Sequence, residues 1–453
     1  MKRTDPQDRP VSRLTISGLA VFFAAYFLIL SALQPARAEV AIQEVTSDSG
    51  VTAWLVEDYT VPIITFRFNF EGGTTQDPAG KEGLVNLMSG LFDEGAGDLD
   101  SDAFQLALDD AGAEMSFNAG ADGMSGAMRL LADKRGPALD LLRLAVNQPR
   151  FDQGPLDRIR AQIVAGIAAR ARDPETIAGI AFSKALYGDH PYGRRGEGTP
   201  ETLATVTADD LRAVHNRIFA RDHLKVGVVG AIDAETLKEE LDRIFGSLPQ
   251  KADLVEVSHV EPKLGQTVHI DYPLPQATIQ LAYPGIDRKD PQFFAAYLMN
   301  YALGGSTFTS RLFEEVREKR GLAYGVDSGL VNRRHSESLV ISTGTASERE
   351  AETLGVIKDV VERMAKEGPT DAEIEGAKRY LVGSYAINNL DSSGAIAETL
   401  VQLQVEDLGI DYIQRRDDII NAVTREEAAA AAKRLLGAEP AILILGPAEK
   451  EGG

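Results

Sequence analysis

The chain has 453 residues, of which 44% are apolar and 25% charged, so its composition is close to that of folded globular proteins and argues against a disordered, multi-span membrane or fibrous protein. The 68 acidic residues outnumber the 47 Lys and Arg, and the resulting formal charge of −21 argues against nucleic acid as a partner. The absence of cysteine excludes disulfides, thiolate nucleophiles and cysteine-ligated metals.

Residues 1–38 have the pattern of a secretory signal peptide. Basic residues precede an apolar run over 14–33, and the triplet Ala36-Arg37-Ala38 predicts cleavage before Glu39. The alternative is an uncleaved membrane anchor, because about 20 apolar residues can just span a bilayer. We therefore expect an exported, periplasmic protein that has no stable membrane association once the leader is removed.

The remaining chain contains segments that recur at an offset of about 217 residues. Three pairs match in the same order: a predicted strand (62–68 and 277–283), a predicted helix (156–164 and 374–382), and a threonine-capped helix followed by an apolar strand (Thr207 with 226–230, Thr424 with 442–446). The repeat predicts two homologous halves, 39–250 and 266–453, joined by a polar linker over 251–265.

Helices and strands alternate within the first half. A helical pattern from Phe104 to Ala111 stops at Gly112, and two predicted strands follow, near 114–117 and 124–131. Two further helices are predicted over 137–146 and 156–171. The pattern predicts an α+β fold in which each half is an antiparallel sheet covered by helices.

Composition and spacing by themselves reveal no catalytic apparatus. The six histidines include no pair in a metal-binding spacing, and His215 is expected to be a solvated or core residue. Ser89 lacks the context of a nucleophile. The turn at Gly304-Gly305-Ser306 lacks the lysine of a phosphate loop, so we interpret it as the start of a helix.

Three stretches nevertheless resemble the insulinase or pitrilysin family of zinc peptidases. Residues 83–90 (GLVNLMSG) resemble the family's G-L-A-H-x-x-E-H helix, 187–193 (YGDHPYG) with 198–201 resemble a downstream landmark, and 310–324 (SRLFEEVREKRGLAY) are similar to its arginine-tyrosine segment. The resemblance covers roughly residues 42–447 and implies the fold of mitochondrial processing peptidase.

The metal motif of that family is not retained. Asn86, Ser89 and Gly90 stand where the family has His, Glu and His, and Gly166, after Ala165, stands at the place of its third ligand, a glutamate. Glycine has no side-chain donor and asparagine is a poor zinc ligand. The general base that would activate a metal-bound water is missing too. We expect no zinc and no other cofactor in this chain.

The arginine-tyrosine segment is retained, with Arg317 near the end of a helix capped by Ser310 and Tyr324 in the following strand. From spacing alone, the alternative is an arginine paired with nearby glutamates and a half-buried tyrosine. The resemblance implies instead that Arg317 and Tyr324 are catalytic residues, which approach a zinc site from the opposite half and hydrogen-bond the substrate carbonyl.

Retention of this pair without the zinc ligands resembles the complementary subunits of two-chain family members. The sequence therefore predicts the non-metal subunit of an exported peptidase, inactive alone, whose partner is a homologous zinc-bearing subunit and whose substrate is a peptide. A catalytically inactive peptide-binding or structural homologue is the first alternative. The second is a peptidase that is active alone with unusual ligands.

Overall fold

The computed structural model describes residues 41–306 and 308–447. The predicted leader, 1–38, lies outside the described residues. Within the described part of the chain, no helix is both long enough and apolar enough to cross a membrane.

Two β-sheets organise the described chain. The strands of the first sheet are β1 (Gln43–Thr46), β2 (Thr52–Glu57), β3 (Ile63–Glu71), β4 (Glu114–Ala119), β5 (Gly123–Leu131) and β6 (Lys225–Gly230). Those of the second are β7 (Thr267–Asp271), β8 (Gln276–Pro284), β9 (Ala323–Arg333), β10 (Ser336–Ala346) and β11 (Ala441–Gly446).

Helices connect and cover these strands. The first eight are α1 (Leu84–Ser89), α2 (Ser101–Ala111), α3 (Arg135–Asn147), α4 (Gln153–Arg170), α5 (Pro174–Tyr187), α6 (Pro200–Ala204), α7 (Ala208–Ile218) and α8 (Ala234–Phe245). The others are α9 (Phe293–Asn300), α10 (Glu350–Glu367), α11 (Asp371–Asn389), α12 (Ser393–Val405), α13 (Tyr412–Ala422) and α14 (Arg425–Leu436). Two segments, Tyr301–Gly305 and Phe313–Glu318, are π-helical.

Five strands of the first sheet have the same order as the five strands of the second, and β1 is an additional edge strand. The first runs β1-β2-β6-β3-β5-β4 and the second β7-β11-β8-β10-β9, so β4 and β9 occupy equivalent edges. Most neighbours are antiparallel, and each sheet also contains one parallel pair, β2 with β6 and β7 with β11. The predicted α+β class, with antiparallel sheets covered by helices, is confirmed with this addition.

Alternation along β3 builds the core of the first half. Ile64, Phe66, Phe68 and Phe70 point to one face and are all buried, because successive strand residues face opposite sides of a sheet. Opposite Phe68 stands Gly126, where a Cβ atom would lie 2.1 Å from the ring. The glycine therefore leaves the space that the phenylalanine fills.

Each sheet is also covered by a helix from the other half of the chain. Phe182 and Leu186 of α5 share an apolar cluster with Leu443 and Leu445 of β11. Conversely, α12, from the second half, packs on β6 and β3 of the first sheet. The halves therefore hold each other through two exchanged helices, and burying these apolar faces stabilises the pairing.

Helix α12 packs closely on the first sheet because Gly227 of β6 has no side chain. A Cβ atom at Gly227 of β6 would lie 2.5 Å from the carbonyl oxygen of Ala397. The α12 side chains Ala397 and Leu400 are buried in a cluster with Trp54 and Val229 of the first sheet.

Several local predictions are confirmed and one is wrong. Thr207 and Thr424 each form a capping box, with Asp210 and Glu427 respectively. His215 is a core residue whose Nε2 lies 2.9 Å from the Val146 carbonyl oxygen. Gly305, however, ends the π-helical segment that continues α9, so the turn predicted to start a helix terminates one instead.

The predicted linker, 251–265, contains no helix or strand. It is tied to the body of the protein by backbone hydrogen bonds. The Val255 amide donates to Gln76 Oε1 (2.7 Å) and the Lys263 amide to the Leu186 carbonyl (2.9 Å).

Candidate functional site

Helix α1 carries the residues at the family's metal-motif positions. It has only six residues, and it begins after Gly83, whose φ of 93° suits glycine. Leu84, Val85, Leu87 and Met88 are buried, which fixes the helix against the core. Asn86 and Ser89 lie on the remaining, half-buried face.

A buried carboxylate caps this helix. Asp77 accepts the amides of Gly83 and Val85 at 2.8 and 2.9 Å. These hydrogen bonds favour the ionised form, but burial in low-dielectric surroundings has the larger effect and raises the pKa of Asp77 to about 7. Asp77 therefore titrates near neutral pH at the start of the motif helix. Sequence reasoning missed this residue.

The side chains at the motif positions do not form a metal site. Ser89 Oγ donates to the Asn86 carbonyl oxygen (2.8 Å), and a Cβ atom at Gly90 would lie 3.0 Å from Ile159 of α4. Gly166 lies about two turns further along α4. Within the described part of the chain, no three His, Cys, Asp or Glu residues lie close enough together to hold a metal ion.

The surroundings of Gly166 also disfavour a cation. The guanidinium of Arg170 lies 3.4 Å from the position that a Gly166 Cβ would take, and it is ion-paired with Glu197. The guanidinium stands where a ligand side chain would extend from this position, and glycine itself offers no carboxylate. These residues therefore do not fit the catalytic zinc ion that the resemblance associates with this place.

Arg317 and Tyr324, in contrast, are brought together. Arg317 lies in the π-helical segment Phe313–Glu318, whose preceding turn is capped by Ser310, and Tyr324 is the second residue of β9. The guanidinium carbon of Arg317 lies 4.8 Å from the ring centroid of Tyr324 and 4.8 Å from that of Phe313. Two aromatic faces thus orient the guanidinium by cation–π contact.

Both polar ends of the pair are open to solvent. The Tyr324 residue is 87% exposed and the Arg317 side chain 34% exposed. Neither side chain makes a hydrogen bond within the described residues, and the one ion pair of Arg317, with Glu318, is long at 3.9 Å. The half-buried tyrosine of the alternative does not match this geometry, whereas its glutamate-paired arginine is present only as this long ion pair.

Neighbouring cations of the same segment are neutralised. Glu315 is an acceptor for both Lys319 and Arg320, and Arg311 forms a short ion pair with Glu373 at 2.7 Å. The hydrogen bonds from Lys319 and Arg320 lower the pKa of Glu315 to about 2. Within the described residues Arg317 keeps only its long ion pair with Glu318, so its guanidinium can still meet a ligand. Glu315 is a supporting residue that sequence reasoning missed.

Comparison with known proteins supports the relationship to the insulinase family. The family model described as the Peptidase M16 inactive domain matches residues 205–381. An uncharacterized zinc protease of Mycobacterium bovis is 31% identical over 322 residues, which cover 68% of this chain and 71% of that protein. A crystal structure of a peptidase M16 inactive domain from Pseudomonas fluorescens is 30% identical, with a TM-score of 0.84, and covers 91% of this chain and 99% of that one.

The chain belongs to the M16, or insulinase, peptidase family. Another relative, from Helicobacter pylori, is named a non-peptidase homolog, YmxG, and is 22% identical over 376 residues, covering 82% of this chain and 86% of its own. The match to the inactive-domain model over residues 205–381 and the replacement of the family's metal-motif residues by Asn86, Ser89 and Gly90 support a catalytically inactive M16 homologue.

Proposed function

We propose that the chain is the non-metal subunit of an exported two-chain M16 peptidase. The observation that carries the proposal is the Arg317–Tyr324 pair: the two side chains stack, Tyr324 is exposed, and within the described residues Arg317 has only a long ion pair with Glu318. A homologous subunit supplies the zinc ion, and a peptide is the substrate. The leader pattern over 1–38 supports export to the periplasm.

The chemistry of the pair suits a developing negative charge. Arginine keeps its charge at all relevant pH values and presents several N–H donors in a fixed plane, and tyrosine adds a neutral O–H donor. Aimed at the carbonyl oxygen of a peptide held by the zinc-bearing partner, these donors would stabilise the negative charge that develops on that oxygen during hydrolysis. Loss of one such donor typically costs about a hundredfold or more in rate.

The segment around the pair is built to hold this geometry. Phe313 is buried, and its ring packs edge-on against that of Phe308, with 5.5 Å between the ring centroids, so the ring against Arg317 is held in place. Glu315 neutralises the two cations that follow. Because the donors are oriented before substrate arrives, little reorganisation is needed when charge develops.

A purely peptide-binding or structural role is the second candidate. The name of the Helicobacter pylori relative, a non-peptidase homolog, favours it. The two candidates differ in what they require of a partner, because only the peptidase subunit needs a zinc-bearing chain.

Affinity purification of the tagged chain from the exported fraction distinguishes them. The proposal predicts a co-eluting M16 chain at near-equal amount, with the sequence H-x-x-E-H and bound zinc, and peptide hydrolysis by the pair. A chain that elutes alone, without zinc or hydrolysis, would support the binding or structural role. One tightly bound zinc ion in the isolated chain would favour a peptidase active alone.

A further inference from the structure

A cavity of about 670 Å³ lies in the C-terminal part of the chain, away from the motif helix α1. Its walls come from α9, α11, α12, α13 and β9. Its volume falls within the range of about 300–1,000 Å³ that is typical of ligand sites. Seven aromatic residues line it: Phe293, Phe294, Tyr297, Tyr301, Tyr380, Tyr385 and Tyr412.

The position of the cavity in the internal repeat corresponds to that of the motif region in the first half. An offset of 218 residues pairs Gly166 with Ser384, and nearly the same offset pairs the motif helix α1 with the segment that begins at Tyr301. Tyr301, Gly305 and Ser384 all line the cavity. It is therefore the counterpart, in the second half, of the place where the first half carries its degenerate motif.

The charged groups in the walls are already compensated. Arg288 is ion-paired with Glu406 (3.0 Å) and donates to the Tyr412 hydroxyl (2.7 Å). The buried Arg416 lies 4.1 Å above the Tyr385 ring and donates to a backbone carbonyl. A highly charged ligand would find no free countercharge here, so the walls favour an uncharged, aromatic or aliphatic group.

Polar groups in the lining suit a peptide backbone. Asn332, Ser384 and Asn388 line the cavity and make no side-chain hydrogen bond within the described residues. Amide and hydroxyl side chains can each donate to and accept from peptide groups. The exposed Tyr380 adds an aromatic surface to the same lining.

Strand β9 connects the cavity to the Arg317–Tyr324 pair. It is the edge strand of its sheet, and Ser328 and Gly329 in its middle line the cavity. Tyr324 precedes Ser328 by four residues, a distance of about 13 Å along a strand. An extended peptide of about four residues can therefore span the distance between the cavity and the Arg317–Tyr324 pair.

We infer that the cavity beside β9 is a side-chain pocket, which binds a large aromatic or aliphatic residue of an extended peptide about four residues from the bond facing Arg317 and Tyr324. The inference rests on the proposed peptide-handling role and deepens it. The pocket selects apolar residues because its walls are aromatic and its charges are paired. Binding at this pocket requires neither the partner chain nor zinc.

The test uses peptide binding to the purified full chain, without any partner. The probes are fluorophore-labelled Gly-Ser decapeptides that carry one central Phe, Leu or Glu, and fluorescence anisotropy reports the Kd. The Phe and Leu peptides are expected to bind at least about tenfold more tightly than the Glu peptide. Ser384→Trp fills the pocket and is expected to weaken binding of the Phe peptide about tenfold or more.

Ala386→Trp is the matched control, because Ala386 lies on the same helix, is exposed and does not line the cavity. It should bind all three peptides as the wild type does. If Ser384→Trp fails to fold, Tyr380→Ala removes an exposed part of the lining and should weaken Phe-peptide binding in the folded protein.

Equal affinity for the three peptides, or unchanged Phe-peptide binding in a folded pocket variant, would overturn the inference. Because no hydrolysis is measured, this result is independent of whether Arg317 and Tyr324 act on a partner's zinc site.

Discussion

Glu315 is predicted to stabilise, through ion pairs, the segment that carries Arg317. Its carboxylate is 12% exposed, lies 2.9 Å from Lys319 Nζ, contacts the Arg320 guanidinium and is 3.7 Å from that of Arg363. Three cations thus surround one acid, which lies two residues before Arg317.

The stabilisation that Glu315 provides can be estimated from its pKa, which these cations lower from 4.5 to about 2. Stabilisation of the ionised carboxylate to this degree corresponds to an upper limit of about 3 kcal/mol in the free energy of unfolding, which solvent screening of the exposed cations reduces. Because the pKa is lower in the folded protein, this stabilisation is fully present above about pH 4.5. It is lost as the pH falls toward about 2.

Urea unfolding of the wild type and Glu315→Gln tests the prediction. At pH 7 the free energy of unfolding of the variant should be lower than that of the wild type by up to about 3 kcal/mol. This difference should shrink progressively as the pH falls from about 4.5 to about 2. Glu362→Gln is the control, because Glu362 pairs with Lys366 on the same surface but is 62% exposed, and such pairs contribute little. Equal losses in the two variants, or a gap that does not change with pH, would refute the reasoning.

Two further predictions concern Asp77 and the exchanged helix. Burial raises the pKa of Asp77 to about 7, so folding favours the protonated form, and wild-type stability should fall relative to Asp77→Asn as the pH rises from about 4 to about 7. Parallel pH profiles in urea unfolding would contradict this. Gly227→Ala would place a methyl group 2.5 Å from the Ala397 carbonyl and should lower the melting temperature, whereas Gly179→Ala in α5 meets no atom within 4 Å and should raise it slightly. Equal melting temperatures for the two variants would show that α12 does not sit tightly on the first sheet.

The regular parts of the fold could be predicted because the periodicity of apolar residues encodes them. The alternation over 62–68 and the threonine caps at Thr207 and Thr424 each depend on neighbours in sequence. The parallel pairing of β2 with β6 could not be predicted in this way, since it joins segments that are more than 160 residues apart.

The candidate site was predictable in its residues and not in its surroundings. Arg317 and Tyr324 were recognised from the motif over 310–324, but a regular helical period cannot indicate that Phe313–Glu318 is π-helical. The aromatic cavity was missed because Phe293, Tyr297 and Tyr301 follow the spacing of an ordinary core-facing helix. Their role depends on residues of α11 and α13, which the fold brings to them.

The most direct test of the account is peptide hydrolysis by the assembled pair of chains. Arg317→Ala and Tyr324→Phe should each lower turnover about a hundredfold or more while both variants still co-elute with the zinc-bearing partner. Arg172→Ala and Tyr59→Phe, which change exposed residues elsewhere on the chain, should leave turnover unchanged. Unchanged hydrolysis in both Arg317→Ala and Tyr324→Phe would contradict the assigned role.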